Sequence, residues 1–367
     1  MTRVLTLILL LASLQLVVAQ RPLEIYVIDP EGGKAALWVA PSGDTVLIDT
    51  GNPGDRDLTR LKEVIAAAGV TKIDYLISTH YHGDHIGGMQ ELVKQIPVGT
   101  FVDHGPTVEG PVNPNQREQL PGFQAAYAEL RAKAKHLVAK PGDTLPVRGL
   151  DWRIVISAGA PLKKALPGAP AAGQPTPACA QAQPKAPTAD PDDNGQSVGS
   201  VVTLGRFRAA DFGDLLWNNE LDLMCPNNPI GTVDLFMVTH HGLNISNAPP
   251  LVLGLRPRAA IMQNGTTKGA NVEVMQLLRS SPGLEDIWQL HWSYTAGIEH
   301  NAPGVFIANL EEPKTLAERL TAPPGGPRPP AAPPHVPAHW IKVTAHPSGA
   351  FTITNSRNNF SKTYQPR

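Results

Sequence analysis

Four side chains that can bind a metal ion lie within six residues of this 367-residue sequence. They are His80, His82, Asp84 and His85, and they directly follow the apolar run Ile73–Ser78. Imidazole nitrogen and carboxylate oxygen are ligands of Zn²⁺. Because side chains alternate along a strand, an H-x-H pair at a strand end points two rings in the same direction. Four potential ligands in this order predict a metal site rather than a solvated loop.

The elements around this cluster follow from local patterns. Short apolar or β-branched runs separated by Gly-rich turns predict three antiparallel strands, Ile25–Ile28, Ala35–Ala40 and Thr45–Asp49. Apolar periodicity predicts one helix before the cluster, over Asp57–Ala68, and one after it, over Met89–Gln95. The cluster therefore lies where a strand runs into a helix.

The rest of the chain continues this mixture of strands and helices, and 42% hydrophobic content supplies one large core or two modest ones. A single α/β catalytic domain fits best. In chain order, the further predicted elements are a helix over Phe123–Val138, strands over Trp152–Ser157, Val198–Leu204, Phe207–Phe212, Val233–Thr239 and Ala259–Met262, a helix over Val272–Leu278 and a strand over Val305–Ala308.

Two segments interrupt this pattern. Residues 159–191 are rich in Ala, Pro, Gly and Gln and predict a disordered or loosely packed insertion, because they offer little apolar bulk. Residues 321–338 form a proline-rich linker. Residues 339–367 alternate around a turn and predict a β-hairpin that docks on the body or binds a partner. The catalytic domain is expected over residues 22–320.

The N-terminus has the pattern of a secretory signal peptide. A basic start precedes the apolar run Val4–Val18, and small residues favour cleavage after Ala19. An uncleaved anchor is the alternative, but the run is shorter than the ~20 residues of a spanning helix. We therefore expect a signal peptide over residues 1–19, a secreted or periplasmic protein, and no transmembrane span in the mature chain.

The overall charge does not favour a polyanionic partner. Thirty-one basic and 32 acidic residues give a formal net charge of −1. Nucleic acid or an anionic membrane is therefore not supported as a partner by charge, although a local basic groove is compatible with this balance.

Two cysteines, Cys179 and Cys225, occur in the whole sequence. In an exported protein such a pair can form one disulfide. The alternative is two ordinary thiols, and neither cysteine has the spacing of a metal or redox motif.

The cluster, together with Leu47-Ile48-Asp49-Thr50-Gly51, resembles the metallo-β-lactamase superfamily over Ile25–Asn309. This resemblance implies an αββα sandwich, in which two central mixed sheets are flanked by helices. It also implies that Asp49 supports the site without binding metal.

Two later motifs resemble those of a subgroup that includes the competence DNA-uptake (ComEC-like) domain and the phosphorylcholine esterases. They are Asp211-Phe212-Gly213-Asp214-Leu215 and Val238-Thr239-His240-His241-Gly242. The resemblance implies that Asp214 bridges two metals and that one histidine of the pair is a ligand. We favour His241 as the ligand, with His240 facing the substrate or the developing oxyanion.

The chain departs from the wider family at one ligand. A histidine is expected about twenty residues before Asp214, and this chain has Asn194 in that region instead. This departure weakens the site formed by His80 and His82. His104, and after it His291 and His300, are alternatives, although a hydrogen-bonded or surface histidine is the favoured interpretation of each.

These residues predict a hydrolase that uses one or two Zn²⁺ ions, with Mn²⁺ as an alternative. Zn²⁺ lowers the pKa of a bound water from 15.7 toward ~7 and so supplies a nucleophile at neutral pH. Asp84, Asp214 and His240 are the expected catalytic residues. The expected substrate is a small molecule or a phosphodiester or phosphoester; the alternatives are a lactone or amide hydrolase and a non-catalytic, metal-containing envelope binding protein.

Overall fold

Two mixed β-sheets pack face to face in the computed structural model, which describes residues 21–108, 120–186, 192–320 and 334–367. The predicted signal peptide, the end of the predicted insertion and most of the predicted linker lie outside these residues. In sheet A the strands are β1 (Leu23–Val27), β2 (Ala36–Val39), β3 (Thr45–Ile48), β4 (Ile73–Ile77), β5 (Val98–Asp103) and β6 (Lys135–Val138), followed at the other end of the chain by β16 (Ile341–Ala345), β17 (Phe351–Asn355) and β18 (Ser361–Tyr364).

Sheet B contains the middle of the chain. Its strands are β7 (Thr144–Leu145), β8 (Asp151–Ser157), β9 (Ala160–Pro161), β10 (Gly199–Leu204), β11 (Phe207–Asp211), β12 (Leu235–Met237), β13 (Ala259–Met262), β14 (Asp286–His291) and β15 (Ile307–Asn309). The order is β18-β17-β16-β1-β2-β3-β4-β5-β6 in sheet A and β15-β14-β13-β12-β11-β10-β8-β7 in sheet B, where β9 pairs with β8. Both sheets combine parallel and antiparallel pairs.

Helices cover the outer faces of the sheets. They are α1 (Asp55–Ala67), α2 (Gly83–Ile86), α3 (Met89–Leu92), α4 (Leu120–Ala132), α5 (Trp217–Met224), α6 (Pro249–Leu255), α7 (Val272–Ser280), α8 (Gly297–His300) and α9 (Pro313–Leu320). No helix in the described part of the chain is both long and apolar enough to cross a bilayer.

Three apolar layers hold this architecture together. Between the sheets, Trp38 of β2 packs edge-on against Trp152 of β8, with ring centroids 5.1 Å apart. Leu61 of α1 belongs to the layer outside sheet A, and Leu251 and Met275 belong to the layer outside sheet B. Burial of these residues removes apolar surface from water on both faces of each sheet. The predicted αββα sandwich with two mixed sheets is therefore confirmed.

The C-terminal strands β16 and β17 pair as an antiparallel hairpin that docks on the body as part of sheet A. Strand β16 pairs antiparallel with β1, with Leu23 opposite Ala345, and β17 and β18 continue the sheet outward. The side chain of Tyr364 is fully buried against the body. This part of the predicted tail thus completes the sheet that carries the N-terminal strands.

One predicted helix is too long. Helix α4 ends at Ala132, and Lys135–Val138 forms β6, which pairs with β5. His136 of β6 also bonds the carboxylate of Asp103 through Nε2, at 2.9 Å. Strand pairing and this contact, both of them tertiary, decide the conformation of a segment that local periodicity assigned to a helix.

Residues 159–186 of the predicted insertion are bonded to the loop that follows α5. A disulfide joins Cys179 to Cys225, with a Cα–Cα distance of 5.7 Å. The backbone N–H groups of Gly173 and Thr176 donate to carbonyl oxygens of residues 228 and 226. The cross-link and these backbone bonds supply the order that the low apolar content does not, and residues 187–191 lie outside the described chain.

Candidate metal centre

Asp49 fixes the loop that carries the first ligands. Its carboxylate accepts hydrogen bonds from the backbone N–H and hydroxyl of Thr79, at 2.8 and 2.7 Å. The same carboxylate lies 2.8 Å from Nδ1 of His85. A carboxylate that bonds a metal-binding histidine without itself binding the metal fixes the orientation of the ring. We call such a residue an outer partner of the ligand.

Four buried side chains bring their donor atoms together at the end of the two sheets. The ligand atoms of Asp84, His85, Asp214 and His241 all lie within 4.8 Å of one another. The Oδ2 atom of Asp214 is 3.1 Å from His85 Nε2 and 3.2 Å from His241 Nε2. Asp84 and His85 follow β4 of sheet A, whereas Asp214 and His241 follow β11 and β12 of sheet B. We call these residues the four-donor cluster.

The turn before Asp214 is braced from both sheets. Asp211 accepts a hydrogen bond from the backbone N–H of Gly213 at 3.0 Å, and Ser197 Oγ accepts one from the N–H of Asp214 at 3.2 Å. The ammonium group of Lys34, next to β2, lies 2.5 Å from Asp211, and both side chains are buried. This contact links the end of β11 to sheet A and fixes the position of Asp214.

The histidine pair adopts an uncommon backbone. His240 and His241 have φ values of 52° and 54°, the left-handed region that non-glycine residues enter at a cost of roughly 1–2 kcal/mol each. His241 Nδ1 lies 2.9 Å from the carbonyl oxygen of Gln263. Because a carbonyl only accepts, this bond places the proton on Nδ1 and leaves Nε2 free to bind a cation.

His240 is held as a neutral ring beside the cluster. Its Nδ1 is 2.9 Å from Ser246 Oγ, and its Nε2 is 3.5 Å from Asp214 Oδ2. Burial lowers the pKa of His240 to about 3, which outweighs the attraction of Asp214. The ring therefore presents an uncharged hydrogen-bonding edge at neutral pH.

Positive charge near the cluster keeps its two carboxylates ionised. Burial alone raises the pKa of Asp84, but Lys268 and His85 hold it well below its usual range. Burial is likewise outweighed at Asp214, whose pKa is lowered by His241 and His85. At His85 burial lowers the pKa, yet the carboxylates of Asp214, Asp49 and Asp84 raise it to about 10. Ionised carboxylates in a buried site are stabilised by bound positive charge.

Several buried atoms here have no hydrogen-bond partner among the described residues. They are Nε2 of His80, His82 and His241, and Oδ1 of Asp214. Buried polar atoms are normally paired, and imidazole nitrogen and carboxylate oxygen are the donors that a divalent metal takes. The residues present therefore fit a metal ion of the Zn²⁺ type.

His80 and His82 stand beside the four-donor cluster rather than in it. The His80 ring centroid lies 4.1 Å from that of His85 and 4.6 Å from that of His82. Burial and the neighbouring imidazoles lower the pKa of His80 well below its usual value, so this ring is neutral. We call His80 and His82 the two-histidine group.

The region of the missing third histidine is buried. Asn194 has an Oδ1 atom without a partner in the described chain, and the adjacent Asp193 accepts a hydrogen bond from the backbone N–H of Tyr81 at 2.6 Å. His104 stacks near Tyr81, with ring centroids 4.2 Å apart, and its Nε2 lies 3.4 Å from Asp193. The structure thus places His104 against the loop support, outside the four-donor cluster.

The other alternative histidines are occupied elsewhere. His291 Nε2 lies 2.6 Å from Asp29 Oδ1 in a buried pair. His300 Nε2 is 3.0 Å from the side-chain nitrogen of Gln276 on the surface. Neither belongs to the four-donor cluster.

Lys268 is a site residue that the sequence patterns missed. Its Nζ atom contacts Asp84 Oδ2, and its side chain is 38% exposed. The loop that carries it is fastened to His241, because Ala270 N donates to the His241 carbonyl oxygen at 2.9 Å. A Cβ at Gly269 (φ 81°) would overlap this oxygen, so only glycine allows the close approach. Gly269 was the one residue of the sequence that could have indicated this close approach, and with it the position of Lys268.

Comparison with known proteins supports a metallo-β-lactamase superfamily domain. Residues 29–161 match the family model described as "Metallo-beta-lactamase superfamily". A 52-residue segment is 38% identical to the "Beta-lactamase-like protein 2 homolog" of Caenorhabditis elegans and covers 14% of this chain and 17% of that protein. A 116-residue segment is 28% identical to the coenzyme F420H(2) oxidase of Methanothermobacter marburgensis and covers 31% of this chain and 26% of that one. The chain thus spans about a sixth to a quarter of the length of these curated relatives.

Solved structures with a similar arrangement include the metallo hydrolase Igni18 of Ignicoccus hospitalis, at 17% identity and a TM-score of 0.41, covering 72% of this chain and 94% of that one. A diphosphatase of the PhnP family is 13% identical, with a TM-score of 0.39 and coverage of 71% and 94%. The family match over residues 29–161 supports a metal-dependent hydrolase at the level of the superfamily.

Proposed function

We propose that this protein is an exported hydrolase that uses a metal ion to cleave phosphodiesters or phosphoesters. The observation that carries the substrate class is the ammonium group of Lys268 at the edge of the four-donor cluster. A phosphoester carries negative charge before it reacts, whereas a lactone or an amide is neutral. A lysine beside a metal site is complementary to the charged substrate.

The residues have distinct roles in this proposal. Asp84, His85, Asp214 and His241 would hold one Zn²⁺ or Mn²⁺, and the two-histidine group would take part in holding a second ion. A bound ion supplies Lewis acidity and lowers the pKa of water. Asp49 keeps His85 in its orientation through the bond at 2.8 Å.

Two further side chains would contact the substrate. The neutral ring of His240 offers a hydrogen bond to a developing negative charge, since Ser246 holds Nδ1 and Nε2 faces Asp214. Lys268, which is partly exposed, would bind a non-reacting phosphate oxygen. These two residues approach the cluster from the side of sheet B.

Export is supported by two features of the chain. The first nineteen residues have the pattern of a secretory signal. The Cys179–Cys225 disulfide suits an oxidising compartment, where such bonds persist. Detection of the mature protein outside the cytoplasm, with an N-terminus after Ala19, would test this part of the proposal.

The reaction is tested with bis(p-nitrophenyl) phosphate and the full mature chain, loaded with Zn²⁺ or Mn²⁺. We expect metal-dependent release of nitrophenol that Asp84→Ala abolishes. Turnover of a neutral lactone without turnover of the phosphodiester would favour the lactone or amide hydrolase. Tight metal binding without turnover of either substrate would favour the non-catalytic binding protein.

The role of Lys268 is tested with a matched pair of variants. Lys268→Met should raise the KM for the phosphodiester by about 10- to 100-fold, the range of one charged hydrogen bond. Lys268→Arg should retain most of the affinity, because it keeps the charge. Metal stoichiometry should be unchanged in both variants; an unchanged KM in Lys268→Met would contradict the substrate assignment.

A further inference from the structure

A cavity lies at the end of sheet B opposite the metal centre. Its volume is about 350 Å³. Arg208, near the start of β11, lines this cavity, whereas Asp214 follows the other end of the same strand. The cavity is therefore separated from the four-donor cluster by the length of a strand.

Arginine dominates the charge of this cavity. The charged lining consists of four guanidinium groups and two carboxylates, which belong to Arg153, Arg206, Arg208, Arg367, Asp151 and Asp234. Arg153 pairs with Asp151 at 2.6 Å. The remaining arginines outnumber the remaining carboxylate, so the lining favours an anion.

Arg208 is the buried member of this set, with 5% of its surface exposed. Its guanidinium donates to the carbonyl oxygens of Ile230, at 2.8 Å, and Thr232. Within the described chain it forms no ion pair with a carboxylate; Asp234 accepts from its backbone N–H instead. Burial is the main influence on the pKa of Arg208 and lowers it. Asp234 and Asp151 attract this charge without forming an ion pair with it. A buried cation whose side-chain hydrogen bonds all go to carbonyl groups is costly, and a bound anion would offset that cost.

Arg206 supplies the accessible cation. It lies in the exposed turn between β10 and β11, and its backbone is fixed because its N–H donates to the carbonyl oxygen of Pro347 at 2.9 Å. Its guanidinium has no hydrogen bond or ion pair with any described residue. All of its donors are thus available to a ligand in the cavity.

The insertion forms a fixed wall of the cavity. Leu166 N donates to the Pro229 carbonyl oxygen and Thr232 N to that of Pro170, both at 2.8 Å. Gly231 has a φ of 84°, and a Cβ there would overlap the carbonyl oxygen of Pro170. Arg208 holds the same 230–232 loop from the other side. The wall, the loop and the buried arginine therefore form one preorganised unit.

We propose that this cavity is a binding site for a small oxyanion with at least two negative charges, of the phosphate-monoester or polycarboxylate type. Guanidinium groups bind both kinds of oxyanion through paired N–H donors. Arg206 provides the accessible contact, and Arg208 provides the buried charge. The site is independent of the hydrolytic reaction and of the metal.

The test uses isothermal titration calorimetry of pyrophosphate and of citrate into the full chain without added metal. The Asp214→Asn background removes anion binding through a residual metal ion. We expect one molecule bound per chain, with Arg206→Ala weakening the affinity tenfold or more and Arg153→Ala weakening it less. Lys133→Ala, at a side chain that is 78% exposed just after the end of α4, is the matched control and should bind as the parent does.

Three outcomes overturn the proposal. Absence of binding to both probes excludes the site, and equal affinity in the parent and in Arg206→Ala places any binding elsewhere. Equal losses in Arg206→Ala and Lys133→Ala indicate general charge attraction. A preference for pyrophosphate or for citrate identifies the ligand type. Arg206→Ala in the otherwise native chain should leave phosphodiester hydrolysis unchanged, so this proposal and the proposed function can fail separately.

Discussion

The two parts of the metal centre differ in how many elements build them. The four-donor cluster takes ligands from both sheets, and its donor atoms lie within 4.8 Å of one another. The two-histidine group comes from one loop after β4, and the position where a third histidine is expected has Asn194. The cluster therefore has enough donors for a tetrahedral ion, whereas the two histidines alone do not. We infer that one ion is held tightly and that any second ion is held weakly.

The largest effect is expected from removal of the carboxylate that lies between two imidazoles. Asp214→Asn should lower the affinity for Zn²⁺ on the order of 100-fold or more, because a direct ligand matters more than its outer partners. Competition with a chromophoric chelator measures the affinity. Asp222→Asn, at an exposed position of α5, is the control. Equal affinities in the two variants would show that the cluster is not the tight site.

A smaller effect is expected from the outer partner of His85. Asp49→Asn keeps the shape of the side chain but removes the charge that lies 2.8 Å from Nδ1. The affinity for Zn²⁺ should fall by about 10- to 100-fold. The same chelator competition measures it, and thermal unfolding checks that the loop at Thr79 is intact. An affinity equal to that of the parent would contradict the supporting role of Asp49.

The loop of the histidine pair depends on a buried carboxylate whose charge is pH-dependent. Glu220 accepts from the backbone N–H groups of Asn247 and Ala248, and burial raises its pKa to about 8. Because the unfolded chain releases this proton near pH 4.5, the contribution of Glu220 to stability falls as the pH rises from about 4.5 to 8. The slope of the Glu220 contribution to the free energy of unfolding, plotted against pH, approaches about 1.4 kcal/mol per pH unit.

Glu220→Gln should remove this slope. Urea unfolding at pH 5.5, 7.0 and 8.5 measures it as the difference between the variant and the parent, with Asp222→Asn as the control on the same helix. Parallel stability curves for Glu220→Gln and the parent would show that this carboxylate does not titrate in that range.

The smallest effect on the tight ion is expected from the two-histidine group. His82→Ala should change the affinity for the first Zn²⁺ by no more than about twofold, since it shares no ligand with the cluster. Metal analysis after dialysis should show that only a second ion, where present, is lost. A loss of tight affinity as large as that in Asp214→Asn would remove the distinction between the two parts.

The sequence predicted the site residues that follow directly after a strand. His80 to His85 follow an apolar strand, and Asp49, Asp214 and the histidine pair also follow apolar runs, so strand ends place them at one edge. Lys268 and Gln263 were missed because they lie in a loop whose path is set by contacts with His241. No spacing or periodicity within that loop encodes those contacts.

The fold shows the same limit. Most strands of both sheets followed from alternation and from turn residues, but β14 (Asp286–His291) was not predicted. Lys135–Val138 became β6 because β5 offers a pairing edge. The insertion is ordered by a disulfide and by backbone bonds to residues 226–232, which its composition does not reveal. Pairing partners distant in the chain decided each of these cases.

The pairing of β1 with β16 has a consequence for biosynthesis. Leu23 lies opposite Ala345, which comes 322 residues later in the chain (345 − 23), so β1 leaves the ribosome long before its neighbour. Until β16 follows, the open edge of β1 is a template for pairing with other chains. Contacts so distant in sequence also slow the search for the native topology. A chain in this state depends on protection of that edge during its synthesis.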